Sequence, residues 1–150
     1  MNDPLSSPPA KTPQIHRCQT RVLYGDTDAA AVVYNANYLR YFEQGRTELM
    51  RELVCSYQEI EALGLVMPVT ECHIRFKAPA RYDDLLTIET RLLELKKVSC
   101  TFSYRILRYD AGQDRPKLLA RGTTTHAAVT RDGKLCKLPE EIRTKMATLL

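Results

Sequence analysis

From residue 66 to residue 131 the chain never returns to a helical period, and this long strand-like run follows one long amphipathic helix. In "TECHIRFK", Thr70, Cys72, Ile74 and Phe76 alternate with Glu71, His73, Arg75 and Lys77, the pattern of a strand with one buried face. "LLTIETRLLEL" (residues 85–95) and "SCTFSYRILRY" (99–109) alternate in the same way, and the short Lys96-Lys97-Val98 link predicts a hairpin. "KLLARGTTTHAAVT" (117–130) is the last long strand, and "RDGK" carries a turn signal. "APARYDD" (78–84) is expected to turn the first of these four strands into the second. Upstream, residues 18–24 predict a strand. Over 37–55, Tyr38, Leu39, Phe42, Leu49, Leu53 and Val54 recur at spacings of three and four, which predicts a helix.

Strand, long helix, then four strands in meander order leaves no room for βαβ alternation. The fold class is therefore α+β, a five-stranded, mostly antiparallel sheet with one face on a single long helix. Asn35 or Asn37 is placed to cap that helix, and Gly45 within it predicts close approach by a neighbouring backbone. "SYQE" (56–59) has capping-box spacing for a short second helix that Gly64 closes, and a short closing helix carries Ile142, Met146 and Leu149 after Pro139. One helix cannot shield both edges of such a sheet, so self-association is expected.

The length of 150 residues fits one folded domain, residues 17–150, behind a disordered tail, residues 1–16, that holds four prolines and no apolar run. That tail resembles neither a signal peptide nor a membrane span, which predicts a cytoplasmic protein without membrane insertion. The net charge of +4 suits a small anionic ligand but falls short of a nucleic-acid footprint, which would need basic residues gathered in one stripe, so no nucleic-acid partner is expected. The five cysteines are scattered without a CxxC pair, which argues against a disulfide scaffold or a zinc site. Cys72 and Cys100 read as small buried hydrophobes.

The sharpest constellation is "YGDTDAAAVVYNANYLRYFEQGR", with Asp26 and Asp28 between a strand end and a helix start. Either aspartate suits a turn, since a short carboxylate bonds nearby backbone N–H groups. Asp28 also precedes Ala29 to Val33, an apolar wall that would partly dry the carboxylate and make it more basic, fit to attack a carbonyl or activate water. Donors at the helix start, around Asn35 to Asn37, would face an oxyanion formed near it. A DxD pair also marks metal-dependent nucleotide-sugar transferases, but those need a doubly wound nucleotide domain that this strand pattern lacks. His126 reads as a hydrogen-bonded strand histidine, His73 as solvated, His16 as part of the tail, and Glu43 with Arg46 as a surface pair.

This motif, together with "RFKAPARYDDLLTIET", resembles the hotdog-fold acyl-CoA thioesterases of the 4-hydroxybenzoyl-CoA thioesterase type, including the short-chain group encoded beside Tol-Pal genes. The resemblance runs from about Thr20 to Thr130. It implies a hotdog fold, hydrolysis of acyl-CoA to acid and CoA without metal or organic cofactor, and a homodimer, often a dimer of dimers, with sites at the interface. It assigns the chemistry to Asp28, a structural part to Asp26, and the oxyanion N–H to Asn35, where many Tol-Pal-type members carry histidine. It places Lys96 and Lys97 against the nucleotide end of CoA, and Tyr34 completes the candidate substrate contacts. Ala31 stands where the family usually has glycine. A hotdog hydratase or dehydratase would pair an acid with histidine, a spacing absent near Asp28, and a non-catalytic acyl-CoA binding module would have no use for a carboxylate facing a thioester.

Overall fold

The computed structural model describes residues 11–150. The first strand, β1 (His16–Arg21), starts two residues earlier than the sequence pattern predicts and takes in His16, which is buried with its Nε2 2.8 Å from Glu52 Oε2. His16 is thus part of the folded domain rather than of the expected tail, and residues 1–10 of that tail lie outside the described residues. β1 stops at Arg21 because the chain turns: the Asp26 carboxylate captures the Leu23 N–H at 2.9 Å and residues Tyr24–Asp26 wind into a single 3₁₀ turn.

The long helix α1 (Asn37–Leu53) places Tyr38, Tyr41, Phe42, Gly45 and Leu49 on its buried face, at the expected spacing of three and four. Neither Asn35 nor Asn37 caps it. The cap position is Ala36, which has no side-chain bond, and the Asn37 amide instead donates to the Asp26 carbonyl at 2.8 Å. The capping box of the short helix α2 (Tyr57–Ala62) forms as the sequence predicts: Ser56 Oγ accepts the Glu59 N–H, and Glu59 accepts the Ser56 N–H. Two short strands, β2 (Leu65–Val66) and β7 (Val129–Thr130), pair with each other beside the main sheet. β7 is the detached end of the last long strand.

The main sheet contains β1, β3 (Val69–Phe76), β4 (Leu85–Leu95), β5 (Ser99–Arg108) and β6 (Lys117–Ala127) in the order β1-β4-β5-β6-β3, every neighbour antiparallel. The expected meander holds for β4, β5 and β6. β3 departs from it. It pairs with β6 at the far edge, so residues 78–84 form a crossover to β4 rather than a hairpin turn. The helix lies mainly over β1, β4 and β5 and meets β3 through Tyr38, whose ring packs edge-on against Phe76 at 5.2 Å, so β3 stays largely open: all its residues are exposed except the half-buried Ile74, with Val69 at 47% and Phe76 at 50%. The buried face expected for β3, including Cys72, is therefore open in the single chain.

The core lies between α1 and the inner rows of the sheet, where Phe42 stacks on Tyr104 at 4.3 Å and packs among Leu86, Ile88, Leu92, Phe102 and Ile106. Each large apolar side chain buried there contributes about 1.5–3 kcal/mol. The closing helix α3 (Glu140–Ala147) adds Ile142 and Met146 to this core. Arg46 is half-buried and forms no ion pair with Glu43 or any other carboxylate among the described residues, so the expected surface pair does not exist.

Gly45 marks a close approach of helix and sheet, made by β4 side chains rather than by the expected neighbouring backbone. A methyl there would overlap the Thr90 hydroxyl and lie 2.7 Å from Ile88 Cγ2. Gly45→Ala should therefore lower stability by about 1–3 kcal/mol despite alanine's better helix propensity. Chemical denaturation checks this, and a variant as stable as the parent would show that α1 does not sit this close to β4.

Candidate active site

The DTD segment is organised by Asp26, which is buried. Its Oδ2 accepts from the Leu23 N–H and, at 3.1 Å, from the Tyr41 hydroxyl one helix turn beyond Asn37. Arg40 Nη1 lies 3.6 Å from Oδ1. Burial and the neighbouring Asp26 charge push the Tyr41 phenol well above its ordinary range, so it remains a donor. The Asp26 carbonyl accepts from the Tyr34 N–H and the Asn37 amide, both at 2.8 Å. One residue thus ties the end of the 3₁₀ turn to the first turns of α1.

Between these ties the chain makes a small hairpin. Thr27 bridges Val33, Asp28 N–H donates to the Val32 carbonyl, and Ala31 N–H donates back to the Asp28 carbonyl, both at 2.9 Å. This is a turn followed by a left-handed residue, and that residue is Ala31, with φ of 60°. The family's usual glycine would take this conformation freely, whereas alanine is strained there. A carboxylate turn also forms: Asp28 Oδ1 accepts the Ala30 N–H at 2.8 Å.

Asp28 is therefore held by one oxygen at the head of an exposed loop. Of the apolar wall expected to dry it, Ala29 to Val33, the three alanines are themselves exposed in the single chain, Val32 is half-buried and only Val33 is buried. Beyond the hairpin, Asn37, Tyr38 and Leu39 donate to the carbonyls three residues back, and Asn35 and Ala36 N–H have no acceptor among the described residues. Tyr34 and Asn35 are exposed, beside that open helix start. A carboxylate with a free oxygen, close in sequence to unused helix-start donors, is the pairing that acyl transfer requires.

Lys96 and Lys97 do not join this group. The Asp28 loop sits at the start of β4, where Arg21 faces Leu85 and Val33 N–H reaches the Ala80 carbonyl. The lysines follow the other end of that 11-residue strand, about 33 Å away at strand rise. Lys96 pairs with Glu94 at 3.5 Å, and its carbonyl accepts from Arg143. His126 is also remote from the loop and chemically occupied. Its Nδ1–H donates to the Met67 carbonyl, its Nε2 accepts from the Thr124 hydroxyl, and that hydroxyl accepts from Tyr104, a tautomer set by the network. Burial above all, with a smaller contribution from the Arg46 charge, lowers its pKa to about 4, so it stays neutral. The expectation of a hydrogen-bonded strand histidine holds. Among the described residues no three His, Cys, Asp or Glu side chains converge as a metal cluster, and no helix is long and apolar enough to cross a membrane.

Sequence reasoning missed the reach of Asp26. Its signal was present in Asn37 and Tyr41, four apart and hence on one face of α1.

A single long helix against a five-stranded antiparallel sheet, with a carboxylate loop entering the helix, defines a hotdog-type α+β domain. The chain belongs to the Thioesterase-like superfamily, whose pattern it matches over residues 22–146. It is similar to the acyl-CoA thioester hydrolase YbgC of Escherichia coli, 38% identical over 93 residues that cover 62% of this chain and 69% of that protein. Its fold superposes on a hypothetical protein from Thermus thermophilus with a TM-score of 0.81, 31% identity and coverage of 89% and 98% of the two chains. It also superposes on a 4-hydroxybenzoyl CoA thioesterase mutant complexed with 4-hydroxybenzoyl CoA, with a TM-score of 0.80, 25% identity and coverage of 88% and 98%.

Replacing Ala31 by glycine should relieve the left-handed strain, less the greater chain entropy that glycine loses on folding. The net gain should be on the order of 0.5–1 kcal/mol. Denaturant titration of Ala31→Gly reads this, and a loss of stability would mean that the loop does not hold the left-handed conformation.

Proposed function

We propose that this chain is an acyl-CoA thioesterase that hydrolyses a thioester to free acid and CoA at a site shared by two copies. The observation that carries the reading is Asp28, exposed and fixed through one oxygen by the Ala30 N–H, ahead of a helix start with unused N–H donors at Asn35 and Ala36. The similarity to proteins named acyl-CoA thioester hydrolase and 4-hydroxybenzoyl-CoA thioesterase supports the substrate class.

Asp28 acts on the thioester carbonyl in one of two ways. Its free oxygen attacks the carbon, expelling the CoA thiolate and leaving an acyl-aspartyl anhydride that water cleaves, or it takes a proton from a water that attacks instead. Either course builds negative charge on the carbonyl oxygen, and the Asn35 N–H is the donor assigned to it. One such donor is worth about 3 kcal/mol in acyl transfer. Tyr34 flanks the thioester. These residues supply the whole reaction with water alone, so no organic cofactor or metal is required by this scheme.

The second copy is needed for two reasons. Asp28 and Ala29 to Ala31 are exposed in one chain, so the desolvation that would make the carboxylate effective has to come from a partner. Lys96 and Lys97 lie about a strand length from Asp28. Antiparallel pairing of β3 with β3 of a second copy resolves both. It covers the open edge and brings the partner's hairpin end, next to Val69, toward the Asp28 end, next to Phe76. The assembly we infer is a homodimer on this edge, with the lysine pair meeting the phosphates of CoA, and the family resemblance extends it to a dimer of dimers. A CoA thioester substrate fits a cytoplasmic enzyme.

Asp28→Asn should lower kcat by about 10²–10⁴-fold while leaving affinity for the intact thioester unchanged. A thiol-release assay over aromatic, short and long acyl-CoA substrates, with calorimetric binding to the variant, measures both. Turnover within a few fold of the parent would remove Asp28 from the chemistry.

A further inference from the structure

The outer face of the sheet, away from α1, carries a feature that the hydrolytic site does not use. Register places Arg17, Glu89, Arg105, Arg121 and Arg75 directly opposite one another in a single row across all five strands. The first three form a unit: Glu89, only 7% exposed, lies 3.7 Å from Arg17 and 3.5 Å from Arg105. Arg121 and Arg75 have no carboxylate partner among the described residues, yet Arg121 faces Arg105 on one side and Arg75 on the other. Like charges directly opposite on neighbouring strands destabilise a sheet. The next row adds Arg91, whose Nε donates to Ser103 Oγ at 3.0 Å, and Thr123, which faces Ser103. Arg75, Arg91, Arg105, Arg121, Ser103 and Thr123 all line one shallow groove of about 780 Å³.

We infer that this groove is a binding site for a compact oligophosphate, a ligand bearing two or more linked phosphoryl groups, whether inorganic or carried by a nucleoside. Guanidinium forks match phosphoryl oxygens two at a time, and the hydroxyls of Ser103 and Thr123 add neutral donors. Arg105, Arg121 and Arg75 span two strand spacings, about 10 Å, a width that suits a short phosphoryl chain better than a single phosphate. The row is what gathers basic residues into one stripe, which a net charge of +4 spread through the sequence does not reveal. A second copy stacked on this face would bring two arginine rows together, so charge complementarity favours the anion. The site is independent of thioester hydrolysis.

The test is calorimetric titration of the full chain with pyrophosphate, tripolyphosphate, ADP and orthophosphate at low salt, with thermal unfolding alongside. Pyrophosphate and tripolyphosphate should each saturate one site per chain, with orthophosphate at least about tenfold weaker. Equal affinity for ADP and pyrophosphate assigns recognition to the phosphoryl chain alone, and tighter ADP binding that persists in Lys96→Ala/Lys97→Ala assigns a nucleoside source. Arg121→Ser should weaken binding at least about tenfold while unfolding no earlier than the parent in ligand-free buffer, because it removes two like-charge contacts. Arg75→Ser, on the edge strand, should also lose affinity, and Asp28→Asn should keep it. Absence of saturable binding by the parent, binding of ADP without pyrophosphate, undiminished binding by Arg121→Ser and Arg75→Ser, or its loss in Asp28→Asn would each overturn the assignment.

Discussion

The hydrogen bonds converging on Asp26 are the constraint on which the candidate site depends. Its carboxylate closes the 3₁₀ turn through Leu23 and fastens α1 through Tyr41, while its carbonyl receives Tyr34 and Asn37. With those ends fixed, the segment between them has only enough chain for a tight hairpin. Asp28 must then stand at its head, with the helix start immediately behind. A buried carboxylate whose partners are lost leaves several donors unsatisfied, each costing about 1–3 kcal/mol, so the loop has little freedom to rearrange. The buried Asp26 thus braces the loop that carries the exposed Asp28.

The sheet supplies the second constraint. Because β3 crosses to the far edge instead of pairing with β4, the sheet ends with an eight-residue strand that is open along its edge and largely exposed on the face toward the helix. The same crossover, through the Ala80 carbonyl and N–H, pins Val33 and the Tyr38 hydroxyl and so braces the Asp28 loop. One topological step therefore creates both the site's support and the edge through which a second copy would complete it. The left-handed Ala31 shows how tightly the loop is held, since its conformation is one that alanine adopts only under constraint.

Much of this was legible in the sequence, and what was not has a common physical cause. The helix face, the Ser56 capping box, the close approach at Gly45 and the β4–β5 hairpin are local patterns, set by residues within a turn or two of one another. The position of β3 is not local. Its alternation is the same whether it pairs with β4 or β6, and only the packing of α1 over β1, β4 and β5 decides which edge stays open. The arginine row was hidden for the same reason, because alternation puts Arg75, Arg105 and Arg121 on a polar face without saying that they are opposite. Cap assignment at Asn35 and Asn37 failed because a tertiary acceptor, the Asp26 carbonyl, competed successfully for the Asn37 amide. Asp28 stands out in the sequence by its place between strand and helix, whereas its exposure in the single chain could be seen only in three dimensions.

The central claim, that Asp28 of one copy works with the lysine pair of another, is tested most directly by mixing two defective chains. Asp28→Asn subunits and Lys96→Ala/Lys97→Ala subunits, exchanged at equal ratio, form mixed dimers in which one site has lost both contributions and the other is intact. Random pairing leaves about a quarter of all sites complete, so hydrolysis at low acyl-CoA should rise toward about a quarter of the parent rate, above that of either variant alone. A mixture no more active than the average of the two variants measured separately would place Asp28 and the lysines in unconnected roles and contradict the shared site.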